Sequence, residues 1–204
     1  MIQEEKIWFF SDDLKLEGLF HRGETPAKGA VLTHPHPAMG GTMWNNVVDS
    51  LVETFGDMGY STLRFNFRGA GRSEGIYDEG RGEVNDLRSA VSCLRDKGIE
   101  SSVLAGYSFG AWIASRCVQD DTSFERVILV APPVSVYSFA VEKLIDRVSL
   151  VIHGDRDSFC RSEDARSFGE TVHAQVIEFP RTDHFFGGRE DMLIQTIQKY
   201  MQQV

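Results

Sequence analysis

Short apolar runs recur along the chain and are separated by stretches with a different hydrophobic spacing. The runs are rich in Val, Ile, Leu and Phe, and Gly, Pro or Asp marks most of their ends, which is typical of β-strands bounded by turns. The predicted strands cover residues 7–10, 14–20, 30–33, 60–67, 102–105, 127–131, 150–152 and 176–179. The first two are separated by only Ser11, Asp12 and Asp13, which predicts a hairpin.

Between the later strands, apolar residues recur every three or four positions, as they do on one face of an α-helix. Such stripes predict helices over residues 47–58, 84–94, 111–118 and 193–204. The alternation of strands and helices predicts an α/β fold with a mainly parallel sheet, helices on both of its faces and an N-terminal antiparallel hairpin. Ligands of such sheets bind in the loops beyond the carboxyl ends of the strands, so the chemistry is expected there.

The composition is typical of one globular domain spanning residues 1–204. The chain is 42% hydrophobic and 25% charged, and a domain of this length buries enough surface to fold without disulfides or a metal. Its 21 Lys and Arg residues against 30 Asp and Glu residues give a net charge of -9, and the basic residues form no block. We therefore expect neither a nucleic-acid partner nor a membrane partner.

The cysteines and the first residues indicate the compartment. Cys93, Cys117 and Cys160 are odd in number and widely spaced, which is typical of reduced thiols packed in a core. The first ten residues have no basic region and no small-residue cleavage site. No run approaches the roughly 18 apolar residues that a membrane-spanning helix requires. These features predict a cytoplasmic protein.

Gly106 to Gly110 reads G-Y-S-F-G and lies between a predicted strand and a predicted helix. A serine on such a sharp strand-to-helix turn adopts a strained backbone, and glycines on both sides prevent collisions with neighbouring elements. Ser108 would then present its hydroxyl above the edge of the sheet. The pattern in this position indicates a nucleophile.

A serine nucleophile needs a base, and the base needs a carboxylate that orients it. His153–Asp157 follows one predicted strand and contains two carboxylates, while Thr182–Phe186 follows the next and contains His184. The chain order of Ser108, an aspartate and then His184 is the order used with a strand-turn-helix serine. Asp155 and Asp157 are both candidates for the acid at this point.

Two further segments carry a resemblance to a known family. His34–Pro37 reads H-P-H-P and Arg64–Gly69 reads R-F-N-F-R-G. With the serine motif, they make the chain resemble the α/β-hydrolase superfamily over nearly its whole length, and within it the small hydrolases without a lid domain. The chain also resembles, more loosely, dienelactone hydrolases and acylaminoacyl-peptidase-like enzymes.

The resemblance implies a role for each member of a catalytic triad. Ser108 would be the nucleophile, His184 the general base and then acid, and Asp157 the carboxylate that orients the histidine. The H-G-x-x-D pattern of the family selects Asp157 over Asp155. Asp183, next to the histidine, is expected to cap its own loop.

An oxyanion hole requires two N–H groups. The first predicted donor is Phe109, directly after the serine. The second must come from the loop after the strand ending at Thr33, where the two prolines have no N–H to give, which leaves His36 or Ala38. The position of the oxyanion loop in the family favours His36.

Other interpretations of the same residues are weaker. The glycines at positions 69, 71 and 75 lack the pattern of a phosphate-binding loop, and a turn packed beneath the oxyanion loop is expected instead. His34 and His36 lack ligand partners at metal-binding spacing, so His34 is expected to make structural hydrogen bonds. We therefore predict no metal and no cofactor. Trp44, Tyr107 and Phe185 are candidates either for the acyl pocket or for the core.

These features together predict a serine hydrolase that cleaves small or exposed carboxylic esters through an acyl-Ser108 intermediate. Residues 132–148 have room for one short helix, roughly 138–146, and for no lid domain. The alternatives are a peptidase or amidase with the same triad and a noncatalytic binding module on the same scaffold. The expected partner is a small-molecule ester or acyl substrate, and the sequence indicates no oligomeric state.

Overall fold

The computed structural model describes residues 2–25, 27–99, 101–121 and 123–203. Its strands are β1 (Glu5–Ser11), β2 (Leu14–His21), β3 (Lys28–Thr33), β4 (Ser61–Phe65), β5 (Ser101–Tyr107), β6 (Phe124–Val130), β7 (Leu150–Gly154) and β8 (Gln175–Phe179). Its α-helices are α1 (Asn46–Asp57), α2 (Arg81–Asp96), α3 (Phe109–Cys117), α4 (Ser162–Val172) and α5 (Glu190–Gln203). Short 3-10 turns cover Pro37–Met39 and Val141–Lys143.

The strands form one sheet in the order β1-β2-β4-β3-β5-β6-β7-β8. β1 pairs antiparallel with β2, and β2 pairs antiparallel with β4. All the other neighbours are parallel. The chain leaves β3 toward β4 on one side and returns as β5 on the other, so the order reverses between β3 and β5. A crevice forms beyond the carboxyl ends of strands at such a reversal.

The core lies on both faces of the sheet. Val31 of β3 and Leu104 of β5 pack on the face covered by α2 and α3, whereas Leu32 and Ala105 pack on the face covered by α1 and α5. Side chains alternate between the two faces of a strand, and here both faces are buried. This explains why the parallel strands have nearly continuous apolar runs.

The structure confirms the predicted mainly parallel sheet, the helices on both faces and the N-terminal hairpin. The boundaries differ in places: the strand predicted over residues 60–67 ends at Phe65, and the helix predicted over 138–146 is only the 3-10 turn Val141–Lys143. The helix α4 was missed. Val204, the last residue of the predicted closing helix, lies outside the described residues. None of the helices in the described residues is both long and apolar enough to cross a membrane.

Candidate active site

Ser108 lies on a strained turn between β5 and α3. Its φ of 54° and ψ of -119° are rare for a residue with a side chain. A Cβ on Gly106 would lie 2.6 Å from the carbonyl oxygen of Gly110, and one on Gly110 would lie 2.7 Å from the carbonyl oxygen of His34. Both glycines are therefore required by close packing, as the motif predicts.

A continuous chain of hydrogen bonds leads from this serine to a carboxylate. Ser108 Oγ lies 2.8 Å from Nε2 of His184, and Nδ1 of the same histidine lies 2.7 Å from Oδ2 of Asp157. All three residues are buried, with at most 9% of their surface exposed. The structure thus brings together the three side chains that the sequence predicts as a triad.

The carboxylate of Asp157 is held on both of its oxygens. Oδ1 accepts hydrogen bonds from the N–H groups of Phe159, at 2.8 Å, and Cys160, at 3.0 Å. Oδ2 is thereby left for the histidine. The Cys160 thiol is buried, and this burial raises its pKa, so it stays protonated as expected for an inert cysteine.

The two other aspartates considered from the sequence support the loop that carries the histidine. Asp155 accepts a hydrogen bond from Thr182 N–H at 3.0 Å, and bonds of this kind to Arg181 and Thr182 lower its pKa. Asp183 accepts one from Phe185 N–H at 3.0 Å, which is the loop cap predicted for it. The ring nitrogens of His184 bond instead to Ser108 and Asp157.

Two residues beside Ser108, Phe109 and His36, have backbone N–H groups without a partner among the described residues. The N–H group of Ala38, in contrast, donates to Nδ1 of His36 at 3.2 Å. Of the two candidates for the second oxyanion donor, His36 therefore has the free N–H group.

The R-F-N-F-R-G segment holds the loop that carries His36. Asn66 Oδ1 accepts a hydrogen bond from Met43 N–H at 2.7 Å, and Arg64 donates to the Met43 carbonyl at 3.1 Å. Asn66 in turn donates to buried Glu17 on β2, at 2.7 Å. A Cβ on Gly71 would collide with Asn66, so the glycine-rich turn packs against the side chain that holds Met43.

A cleft of about 430 Å³ opens above the serine. It is lined by Pro35, His36, Met39, Gly40, Gly41, Asn45, Tyr107, Ser108, Phe109, Pro133, Val136, Tyr137, Phe159, His184 and Phe185. Of the aromatic residues proposed for the pocket, Tyr107 and Phe185 line it. Trp44 does not, and its ring instead lies over the guanidinium of Arg64 at 4.7 Å.

The lining of the cleft is apolar and, in the described residues, includes no Lys, Arg, Asp or Glu. The ring of His36 packs between those of Tyr77 and Phe109, with centroids 4.7 and 4.8 Å away. Burial lowers its pKa, so the ring favours its neutral form. No three His, Cys, Asp or Glu side chains in the described ranges come together as a metal-binding group.

Several lining residues were not predicted from the sequence, among them Phe159, Val136 and Tyr137. Phe159 packs against His184 with centroids 4.8 Å apart, and its position two residues after Asp157 was the available signal. Val136 and Tyr137 come from the connection between β6 and β7. Their position depends on how that connection folds, which no local pattern indicates.

Comparisons with known proteins identify the family of the chain. A family model described as serine aminopeptidase, S33, matches residues 38–148, a range that includes Ser108 and ends before Asp157 and His184. An uncharacterized protein of Rickettsia prowazekii (strain Madrid E) is 31% identical over 209 residues, covering 96% of this chain and 88% of the relative.

Solved structures show the same architecture. An alpha-beta serine hydrolase homologue from Coxiella burnetii has a TM-score of 0.90 at 31% identity, with 98% of both chains covered. A serine hydrolase without a lid from Xanthomonas campestris has a TM-score of 0.89 at 26% identity, covering 98% of this chain and 94% of that one. The predicted α/β-hydrolase fold without a lid domain is thus confirmed. The chain belongs to the serine aminopeptidase S33 family of α/β serine hydrolases.

Proposed function

We propose that the protein is a cytoplasmic serine esterase that hydrolyses small, uncharged carboxylic esters through an acyl-Ser108 intermediate. The observation that carries this proposal is the hydrogen-bonded chain from Ser108 through His184 to Asp157. It opens onto a cleft whose described lining has no Lys, Arg, Asp or Glu.

Acylation begins when Ser108 Oγ attacks the ester carbonyl and its proton moves to Nε2 of His184. The 2.8 Å separation of these two atoms allows direct transfer. Asp157 keeps the proton of the neutral ring on Nδ1 and stabilises the imidazolium that forms. The histidine then gives its proton to the departing alcohol.

The attack places a negative charge on the former carbonyl oxygen. The free N–H groups of Phe109 and His36 would donate to this oxygen, and loss of one such donor costs roughly 10² to 10³ in rate. Water then attacks the acyl group with His184 as base, which releases the acid and restores the serine hydroxyl.

The lining of the cleft supports the proposal of an uncharged, apolar substrate. Met39, Val136 and Phe185 are respectively 80%, 61% and 63% exposed at its rim, so an apolar acyl or aryl group would bury apolar surface on binding. Such burial contributes about 25 cal/mol for each Å². A charged group would find no partner of opposite sign in this lining.

A peptidase is the second candidate, because the matching family model is described as a serine aminopeptidase. An aminopeptidase holds the ammonium group of its substrate, for which a carboxylate is the natural partner. In the described residues that line the cleft there is none. Turnover of p-nitrophenyl esters should therefore exceed that of aminoacyl p-nitroanilides; the reverse preference would support the peptidase.

Covalent labelling tests the nucleophile. A fluorophosphonate probe should modify Ser108 alone, and Ser108→Ala should abolish both labelling and ester turnover while the protein remains folded. Ser167→Ala, at an exposed serine on α4, is the matched control and should react as the wild type does. Labelling or turnover that persists in Ser108→Ala would overturn the proposal.

A further inference from the structure

His34 is a buried histidine that the proposed chemistry does not use. It directly follows β3, none of its surface is exposed, and its ring packs edge-on to that of Phe67 with centroids 4.8 Å apart. Both ring nitrogens have partners. Nε2 lies 3.0 Å from Phe67 N–H, and Nδ1 lies 2.6 Å from the carbonyl oxygen of Pro35.

These partners determine where the proton of the ring lies. A backbone N–H group can only donate, so Nε2 of His34 must accept the bond from Phe67. The proton of the neutral ring therefore lies on Nδ1, which donates to Pro35 O. Burial lowers the pKa of His34 to about 4, which keeps the ring neutral at ordinary pH.

The carbonyl that His34 holds belongs to the same peptide group as the N–H of His36. A peptide group is planar and trans, so its C=O and N–H point in opposite directions. Fixing the oxygen of Pro35 thus fixes the direction of His36 N–H. A hydrogen bond to the carbonyl also polarises the peptide and strengthens its N–H as a donor.

The surrounding chain restricts this peptide further. A Cβ on Gly41 would collide with the carbonyl of Pro35, so the absence of a side chain there leaves room for the observed orientation. The carbonyl of His36 accepts hydrogen bonds from Met39 N–H and Gly41 N–H, both at 3.0 Å. The peptide groups on both sides of the His36 Cα are therefore held.

We propose that His34 is a positioning residue of the oxyanion hole, which aims the N–H of His36 by holding the carbonyl of Pro35. The proposal rests on the acyl-enzyme mechanism described above. His34 itself touches no substrate. It acts through a single peptide group, and its contribution should appear mainly when negative charge develops on the substrate oxygen.

Two substitutions separate the two hydrogen bonds of the ring. His34→Asn retains a donor near the position of Nδ1 and loses the acceptor for Phe67 N–H. His34→Gln retains an acceptor near the position of Nε2 and loses the donor to Pro35. Both remove the same aromatic ring, so each serves as the stability control for the other.

We expect His34→Gln to lower kcat by roughly tenfold to a hundredfold, below or near the cost of losing one oxyanion donor, with KM changed by less than about twofold. His34→Asn should keep kcat within about threefold of the wild type. The affinity for an aryl trifluoromethyl ketone, whose adduct with Ser108 carries an oxyanion, should fall in parallel with kcat. The affinity for the product alcohol, which carries no such charge, should not change.

The outcomes distinguish this proposal from the mechanism on which it rests. Ester turnover by Ser108→Ala would overturn the mechanism. If Ser108→Ala is inactive but His34→Gln keeps the wild-type kcat and ketone affinity, only the role of His34 is overturned. Equal losses of kcat in the Asn and Gln variants would also overturn it, because they would reflect packing alone.

A measurement on the wild-type protein covers the case in which neither variant folds. Nitrogen-15 NMR of the imidazole should show His34 as the neutral tautomer with its proton on Nδ1, and the ketone should shift the amide proton of His36 downfield. A proton on Nε2, or a His36 amide that does not respond to the ketone, would contradict the proposal.

Discussion

The two sides of the cleft are built in different ways. On one side, Asp157 and His184 form a relay of side chains from two separate loops. On the other side, the peptide side, the proposed oxyanion donors are backbone N–H groups, and the side chains that hold the peptides around them do not line the cleft. His34 binds the carbonyl oxygen of Pro35, and Asn66 accepts a hydrogen bond from Met43 N–H.

This difference determines which residues the chemistry constrains directly. The relay requires a particular functional group at each position, so a substitution there removes the group itself. On the peptide side any residue except proline has the necessary N–H group, and only its orientation matters. Substitutions of the residues that hold these N–H groups should lower kcat by changing the orientation of the N–H groups. Their effects on kcat should be smaller than those of substitutions in the triad.

The largest expected effect is on the relay side. Asp157→Asn should lower kcat by roughly 10⁴, because the amide N–H₂ favours the wrong tautomer of His184. Steady-state ester kinetics measure this loss. Asp155→Asn, two residues earlier, is the matched control and should keep most of the activity; a comparable loss there would show that the carboxylate was misassigned.

The second effect concerns stability on the peptide side. The pKa of His34 falls from 6.5 when exposed to about 4 in the folded protein. Below pH 6.5 the unfolded chain therefore binds a proton that the folded chain does not. Stability is unaffected by this group above pH 6.5 and decreases as pH falls, by roughly 3 kcal/mol near pH 4.

Urea denaturation at pH 7 and pH 4.5 measures this dependence. Other groups titrate in the same range, so the wild type is compared with His34→Asn, which lacks the titrating ring. The variant is expected to lose less free energy of unfolding between the two pH values. An equal loss in both proteins would show that His34 is already protonated, or is not buried, near neutral pH.

The third effect tests the packing of the oxyanion peptide. Gly41→Ala places a methyl group against the carbonyl of Pro35, and the resulting displacement should lower kcat roughly tenfold to a hundredfold. Gly187→Ala is the control, because a Cβ there meets nothing within 4 Å. Wild-type kinetics in Gly41→Ala would show that the peptide tolerates movement.

The smallest effect is expected at the rim. Phe185→Ala removes an exposed apolar wall and should weaken kcat/KM for p-nitrophenyl hexanoate by about 1 kcal/mol, or roughly fivefold. The acetate ester should be affected less. Phe10→Ala removes a similarly exposed phenylalanine on β1, far from the cleft, and should change neither ester. Equal losses for both esters would contradict an acyl-binding role.

The relay could be anticipated from the sequence because short motifs mark its members. The serine motif lies between a strand and a helix, and the aspartate and histidine each follow an apolar run. The peptide side was only partly accessible. The prolines limit the second donor to His36 or Ala38, and only the structure shows that the N–H of Ala38 is already bonded. The role proposed for His34 depends on its contacts with Pro35 and with Phe67, which lies more than thirty positions away.

The missed helix α4 shows a limit of a different kind. Its buried residues Ala165, Phe168, Gly169 and Val172 have helical spacing, but two of them are small and form a weak apolar stripe. In the connection between β6 and β7, the sequence predicted more helix than the structure has. There a short helix was expected, and only a 3-10 turn forms at Val141–Lys143.

The hydrogen bond between Glu17 and Asn66 connects the N-terminal hairpin to the candidate active site, although no residue of the hairpin lines the cleft. Glu17 lies on β2, and Asn66 carries its influence to the main chain at Met43. Deletion of the first twenty residues would remove Glu17, and Asn66 would lose the hydrogen bond that holds it. The loop between β3 and α1 would then lose part of its support. Truncations intended to give a smaller active fragment should therefore leave the N-terminal hairpin intact.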